Sequence, residues 1–263
     1  MPRRIITLTT DFGLSDHFVG VMKGVISRIA PAAEVIDVSH GVEPYNIAGG
    51  AFTIAQAYRY FPQRTIHVVV VDPGVGSARR PLLAEAAGQY FIAPDNAVLS
   101  IILAADPKPR VRHITAEKYF LHPVSRTFHG RDVFSPVAAH LAAGVAPAKF
   151  GKIVEDYLRA SFDKPVKTGP HAWTGVILKS DHFGNLATNF HIDRFPSLRT
   201  HAFSLKLGSR TIARLALTFS ECAPGELFAI VGSSGYVEIA AAEDSAATAL
   251  GCGAGAPVEL TIH

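Results

Sequence analysis

Two side chains seven positions apart, Asp72 and Arg79, lead the list of groups in this chain that could do chemistry. They sit in the stretch Ile-His-Val-Val-Val-Val-Asp-Pro-Gly-Val-Gly-Ser-Ala-Arg-Arg, residues 66 to 80. A carboxylate beside a guanidinium holds charge and geometry together, so the pair is either half of a polar site or an ion pair that ties down a turn. Asp-Pro-Gly consists of ordinary turn formers, and for this stretch alone the structural reading comes first. Three other polar clusters mark changes of chain direction: Thr10-Asp11-Phe12-Gly13, Thr127-Phe128-His129-Gly130-Arg131-Asp132 and Asp181-His182-Phe183-Gly184-Asn185. Each has a dull explanation when taken singly. Asp11 could form an Asx turn, His129 could be a satisfied histidine, and Asp181 with Asn185 could cap a turn.

The clusters need elements to hold them. His67 to Val71 is a β-branched run that reads as a strand buried on both faces of a parallel sheet. It stops at Asp72-Pro73, where proline cannot continue the ladder, and Gly74 and Gly76 then let the backbone fold tightly. Upstream, Arg4 to Thr10 reads as a strand. Phe18, Val21, Met22, Val25, Ile26 and Ile29 recur at helical spacing behind a cap at Ser15 or Asp16. Glu34 to Val38 is the next strand, and a helix runs from about Ile47 to Tyr60. Strand, helix, strand, helix, strand is the pattern of a doubly wound parallel sheet, whose ligands bind beyond the carboxyl ends of the strands. Three of the four clusters fall on strand ends or helix starts of that sheet.

Further on, Leu82 to Ala86 and Tyr90 to Ala93 read as a strand pair around Gly88, and Val111 to Thr115 as another strand. Asp95-Asn96 is expected to cap a helix through Ala104, and Gly130-Arg131-Asp132 to open a helix that stops at Gly144. From Phe150 to Pro170 the periodicity fades and Lys, Pro and Gly gather. This places an α/β domain at 1–158, a linker at 159–170 and a second domain at 171–263. The second domain reads as short strands: Trp173 to Lys179, Ala202 to Leu207, Thr211 to Leu217, Leu227 to Val231, Tyr236 to Ala240 and Val258 to Ile262. That spacing predicts an antiparallel β domain, sandwich or barrel. Ala240 to Ala256 predicts a loop and a short helix.

Bulk properties narrow the function classes. With 263 residues, 48% of them hydrophobic, the chain can bury a sizeable core without staples. A formal charge of +3, with no dense Lys/Arg run interleaved with aromatics, argues against nucleic acid as the main partner. Cys222 and Cys252 lie far apart, which suggests neither a zinc site nor a disulfide framework. No long apolar segment or signal-like cleavage site occurs, so a cytoplasmic protein without a membrane partner is expected.

Six motifs in order then make the chain familiar: Thr-Asp-Phe-Gly at 10–13, Val-Asp-Pro-Gly-Val-Gly at 71–76, Ala-Pro-Asp-Asn at 93–96, Thr-Phe-His-Gly-Arg-Asp at 127–132, Asp-His-Phe-Gly-Asn at 181–185 and Ser-Ser-Gly-Tyr at 233–236. Together they resemble the S-adenosyl-L-methionine hydroxide adenosyltransferases, adenosine-forming hydrolases related to the fluorinase and chlorinase. The resemblance spans nearly the whole chain. It implies an N-terminal α/β domain, a C-terminal antiparallel β-barrel-like domain, and a homotrimer with sites between subunits. It also implies a reaction in which water displaces methionine from C5′ of the ribose. The sulfonium leaves as a neutral thioether, so neither a metal nor a cofactor beyond the substrate is expected; water needs only positioning and loss of a proton.

The resemblance further implies residue roles. Asp72, Arg79 and His129 would orient and deprotonate the water, with the proton acceptor left open between them. Asp11 would accept both ribose hydroxyls and Tyr45 would pack on the ligand. Phe128, Phe183 and Phe219 would wall the pocket, although each aromatic alone is more often core. Asp181 would meet the methionine ammonium, Asn185 the adenine and Ser233 the methionine carboxylate. The halogenating relatives carry tyrosines in place of Asp72 and His129, and the fluorinase a serine in place of Gly130 and an arginine in place of Ser234. An anionic Asp72 would repel a halide. The rival readings are a halogenase and a binding module that holds an adenosyl ligand without turnover.

Overall fold

The structure is a computed structural model that describes residues 4–162 and 164–263. The chain divides into two compact units, Met1–Ala160 and Ser161–His263. In the first, β1 (Ile5–Thr10), α1 (Phe18–Ile29), β2 (Glu34–Ser39), α2 (Ile47–Ala57) and β3 (Ile66–Val70) alternate as the hydrophobic pattern predicts. β4 (Pro81–Ala86) and β5 (Gln89–Pro94) form the hairpin around Gly88, followed by α3 (Ser100–Ala105), β6 (Arg110–His113) and α4 (Ser135–Ala142). The six strands lie in the order β2-β1-β3-β5-β4-β6. β1, β2, β3 and β5 run parallel, while β4 is antiparallel to both of its neighbours. Every residue of β3 is buried, as expected for a central parallel strand, and Ile66, Val68 and Val70 share a core with Met22, Ile26, Phe134 and Val137.

The second unit is built from mostly antiparallel strands. Its elements are β7 (Val166–Lys167), β8 (Ala172–Ser180), β9 (Leu186–His191), β10 (Phe203–Leu207), β11 (Arg210–Ile212), β12 (Leu215–Ala216), β13 (Leu227–Val231), β14 (Tyr236–Ala241), α5 (Ala246–Leu250) and β15 (Pro257–Ile262). They form a curled sheet along the path β11-β10-β15-β8-β9-β14-β13-β12, with β7 attached to β8. β8 is the hinge of the curl: it pairs with β15 through Ala172 to Val176 and with β9 through Ile177 to Ser180. Among the described residues, no helix is long and apolar enough to cross a membrane.

Four local expectations change. Ser15 and Asp16 do not cap α1; His17 precedes the helix, so both lie too far upstream to reach its first-turn amides. Asp95 caps no helix, because it is buried against Arg80 Nε at 2.8 Å and also accepts the Leu158 amide at 2.8 Å. A charge-assisted partner outweighs a neutral cap here, and Ala97, at φ +73°, breaks the chain before α3 begins at Ser100. The expected strand Thr211 to Leu217 is two strands, β11 and β12, which pair at opposite ends of the sheet path. β9 was hidden by its polar middle. Thr188 and Asn189 are buried with their side chains bonded to backbone, Thr188 Oγ1 donating to the Val237 carbonyl and Asn189 Oδ1 accepting from Val176 N.

Candidate active site

In the first unit, β1 and β3 are neighbours with Thr10 opposite Val70, so Asp11 and Asp72 leave the same edge of the sheet. The loop after Asp72 closes through two tight turns, Val75 N to the Asp72 carbonyl at 3.2 Å and Ser77 N to the Gly74 carbonyl at 3.1 Å. Gly76 has φ +77°, and a Cβ there would lie 2.2 Å from the Arg126 carbonyl oxygen. Only glycine allows this loop to lie against the segment that leads to His129.

The turns return Arg79 to Asp72. Arg79 Nε donates to Asp72 Oδ1 at 3.0 Å and to Oδ2 at 2.8 Å, and Nη2 donates to Oδ2. Both side chains are nearly buried, at 8% and 4% exposure. Nη2 also meets His129 Nδ1 at 2.7 Å. Arginine has donors only, so that histidine nitrogen must present its lone pair, and the neutral ring carries its proton on the other nitrogen. Burial holds the His129 pKa below the ordinary imidazole value; the Arg79 charge lowers it further, and Asp72, Asp132 and the Ser125 carbonyl oppose the shift. Arg79 Nη1 is buried without a hydrogen-bond partner among the described residues. A cavity of about 520 Å³ adjoins Arg79 and His129.

Asp11 accepts the Tyr45 amide through Oδ2 at 2.9 Å. Burial raises its pKa and the Asp72 charge adds to the rise, against the lowering by the Tyr45 amide. Tyr45 takes a left-handed conformation, φ +68°, which aims its amide at Asp11 and leaves its ring 73% exposed. That conformation costs a non-glycine residue roughly 1–2 kcal/mol. Tyr45→Gly is therefore expected to keep or raise stability, since the exposed side chain is not part of the core, and, with the ring in the ligand-packing role the resemblance implies, to raise KM about tenfold with kcat nearly unchanged. Steady-state kinetics check this; a loss confined to kcat would remove Tyr45 from the binding wall. Phe128 is buried edge-on to Phe12 and Phe18.

In the second unit, Asp181 organises the turn between β8 and β9. Its Oδ1 accepts the amides of Phe183 and Asn185, each at 2.9 Å, and its Oδ2 accepts Asn185 Nδ2 at 2.9 Å. The turn-capping explanation of these residues is thus realised: Asn185 is held by its amide and its side-chain Nδ2 on Asp181, and its backbone carbonyl oxygen accepts the Asp181 amide. A cavity of about 430 Å³ lies against Phe183, Asn185, Phe219, Ala241, Glu243 and Asp244. Phe183 is 74% exposed and Phe219 47%, and both rings line that cavity. Ser233 is exposed in the β13–β14 turn, outside that cavity lining.

Two residues in these surroundings escaped the sequence reading. Glu238 reaches over Gly232, where a Cβ would lie 2.0 Å from its Oε1, and burial together with the Asp181 charge raises its pKa. Its alternation within β14 gave it no distinguishing signal. Asp132 is fully buried and bonded to Ser125 N and Arg131. It lay inside the Thr-Phe-His-Gly-Arg-Asp motif, but was read only as a helix start.

With this geometry established, comparison with known proteins finds two family models. The SAM hydroxide adenosyltransferase N-terminal domain matches residues 6–151, and the C-terminal domain of that family matches residues 175–259. The chain is similar to the (R)-S-adenosyl-L-methionine hydrolase of Salinispora tropica, 36% identical over 99% of this chain and 98% of the relative. It is also similar to the enzyme of the same name from Thermus thermophilus, 35% identical over 98% and 99%. A fluorinase from Actinoplanes is more distant, 27% identical over 90% of each chain. A crystal structure of a conserved Thermotoga maritima protein superposes with a TM-score of 0.88 at 36% identity, covering 97% of this chain and 99% of that one.

Proposed function

The chain belongs to the SAM hydroxide adenosyltransferase family, and from that membership we propose that Asp72, Arg79 and His129 deliver a water molecule to C5′ of the substrate's ribose. The activity is hydrolysis of S-adenosyl-L-methionine to adenosine and L-methionine. The water oxygen bonds to C5′ as the C5′–S bond breaks, the bonding pair leaves with sulfur as a neutral thioether, and one proton is lost from the water. No cofactor is required for such a leaving group.

The observation that carries the division of roles is the contact chain Asp72–Arg79–His129. Arg79 cannot accept a proton. His129 has one nitrogen engaged by Arg79 and its ring proton on the other, so it has no lone pair to offer. Asp72 receives three contacts from Arg79 and a carboxylate has about four lone-pair sites, which leaves one on Oδ1 for the water. Asp72 is therefore the acceptor, and Arg79 and His129 are its clamp. A carboxylate suffices because water becomes strongly acidic as its bond to carbon forms. The same negative charge disfavours a halide nucleophile.

Asp11 takes the ribose hydroxyls through Oδ1 and Tyr45 packs on the ligand. Asn185 meets the adenine between Phe183 and Phe219, Asp181 the ammonium and Ser233 the carboxylate, and Phe128 stands behind the pocket wall. The two half-sites each present exposed apolar rings beside polar groups, which supports a homotrimer with sites completed between subunits. Sedimentation as a monomer at assay concentration would exclude that assembly.

The hydrolase relatives are named for the R epimer at sulfur, and we assign the same preference here. Chromatography after incubation with each epimer, with and without chloride or fluoride, tests the function. Adenosine and methionine are expected, faster from the R epimer and indifferent to halide. A halogenated nucleoside would overturn the Asp72 argument, and retained ligand without product would favour the binding module.

A further inference from the structure

We propose that Asp132 is a positioning residue for the hydrolysis, holding the segment that carries His129 so that the histidine keeps Arg79 on Asp72. The inference rests on the proposed roles of those three residues.

Asp132 is wholly buried. Its Oδ2 accepts the Ser125 amide at 2.8 Å, and Arg131 reaches it through Nε on Oδ1 at 2.6 Å and Nη2 on Oδ2 at 2.9 Å. Its backbone carbonyl accepts the Leu121 amide at 2.8 Å, so one residue fastens the segment at both Leu121 and Ser125. Three features tie that segment to the chemistry. Arg126 presses its carbonyl into the space that Gly76 leaves in the Asp72–Arg79 loop. The Ser125 carbonyl faces the His129 ring, and that ring meets Arg79. Ser125 is thus the link, with its amide on Asp132 and its carbonyl on His129.

Arg131 explains how a charge can be buried here. Its guanidinium pairs with Asp132, lies 5.3 Å from the Phe128 ring centre and remains about one-third exposed. A plain fold-stabilising ion pair would end at that contact. The route from Asp132 through Ser125 to His129 adds an electrostatic consequence: Asp132 favours the charged form of the ring, and removing its charge lowers the His129 pKa further.

The direction of the pH dependence follows. The clamp needs neutral His129, because a protonated ring cannot accept from Arg79. Activity is therefore retained at neutral pH and lost as pH falls through the His129 pKa, below the ordinary imidazole value of about 6.5. Asp132→Asn keeps an oxygen for the Ser125 amide but removes the charge.

The experiment is a pH profile of kcat and KM for wild type, Asp132→Ala, Asp132→Asn and Arg131→Met. Asp132→Ala, which removes the acceptor of the Ser125 amide, is expected to lower kcat tenfold or more with KM within twofold; Asp132→Asn, which keeps that acceptor, is expected to hold kcat within a few-fold and to move the acid limb to lower pH. Arg131→Met, which leaves Ser125 bonded to Asp132, is expected to lose thermal stability with a smaller fall in kcat. If Asp132→Asn does not accumulate as folded protein, the Arg131→Gln/Asp132→Asn double variant, which buries no unpaired charge, is measured in its place. An unshifted acid limb in Asp132→Asn, or equal kcat losses in Asp132→Ala and Arg131→Met, would reduce Asp132 to a fold-stabilising residue and overturn the proposal. A wild-type protein without hydrolysis would instead refute the functional reading beneath it.

Discussion

Asp72→Asn is expected to lower kcat by roughly a hundred- to ten-thousandfold, the range for loss of a positioned proton acceptor, with KM changed only a few-fold. The size follows from the single lone pair that Arg79 leaves on Asp72. An amide in that place has no basic oxygen for the water proton, and it turns an NH2 group toward the Arg79 donors or toward the water. The substrate sulfonium is unaffected, so its binding energy at the ribose, adenine and methionine ends persists. His129→Gln is the informative companion. Glutamine can still accept from Arg79 through its amide oxygen, so its loss in kcat is expected to be smaller than that of Asp72→Asn. The reverse order would make the histidine the proton acceptor, and equal losses in binding and turnover would argue against both assignments.

The second large effect is on stability. Arg79→Met leaves Asp72, only 4% exposed at its side chain, without its ionic partner. Removing one partner of a buried pair destabilises by about 3–5 kcal/mol, because the remaining charge is uncompensated. For a chain of this size each kcal/mol moves Tm by about 2–4 °C, so a fall of roughly 10 °C is expected in a thermal melt. The Asp72→Leu/Arg79→Met double variant should recover most of that loss, since two apolar groups can replace a buried pair at little cost. Activity should stay absent. If the single variant melts with wild type, the pair is more solvated than its exposure indicates. If the double variant is as unstable as the single one, packing rather than charge accounts for the loss.

Periodicity was sufficient for the elements that build the first sheet. The β-branched run at Ile66 to Val70 and the apolar stripe of α1 have no alternative that buries them as well. Residue order also put Asp11 and Asp72 at one sheet edge, because parallel strands joined by helices must end on the same side. The six motifs carried the family and its reaction. They could not show how Asp72, Arg79 and His129 meet. His129 lies 50 residues from Arg79 in the chain, and the two are brought together by the Gly76 turn and the Arg126 carbonyl packed against it. Whether the histidine is base or clamp depends on which donor faces each ring nitrogen, which is a property of contacts and not of residue type. β9 and the division of Thr211 to Leu217 were likewise decided by pairing: buried Thr188 and Asn189 read as loop until strands on both sides accept them. Local pattern fixed which segments fold and which residues stand at their ends. Tertiary packing fixed which ends meet and in which protonation state they do so.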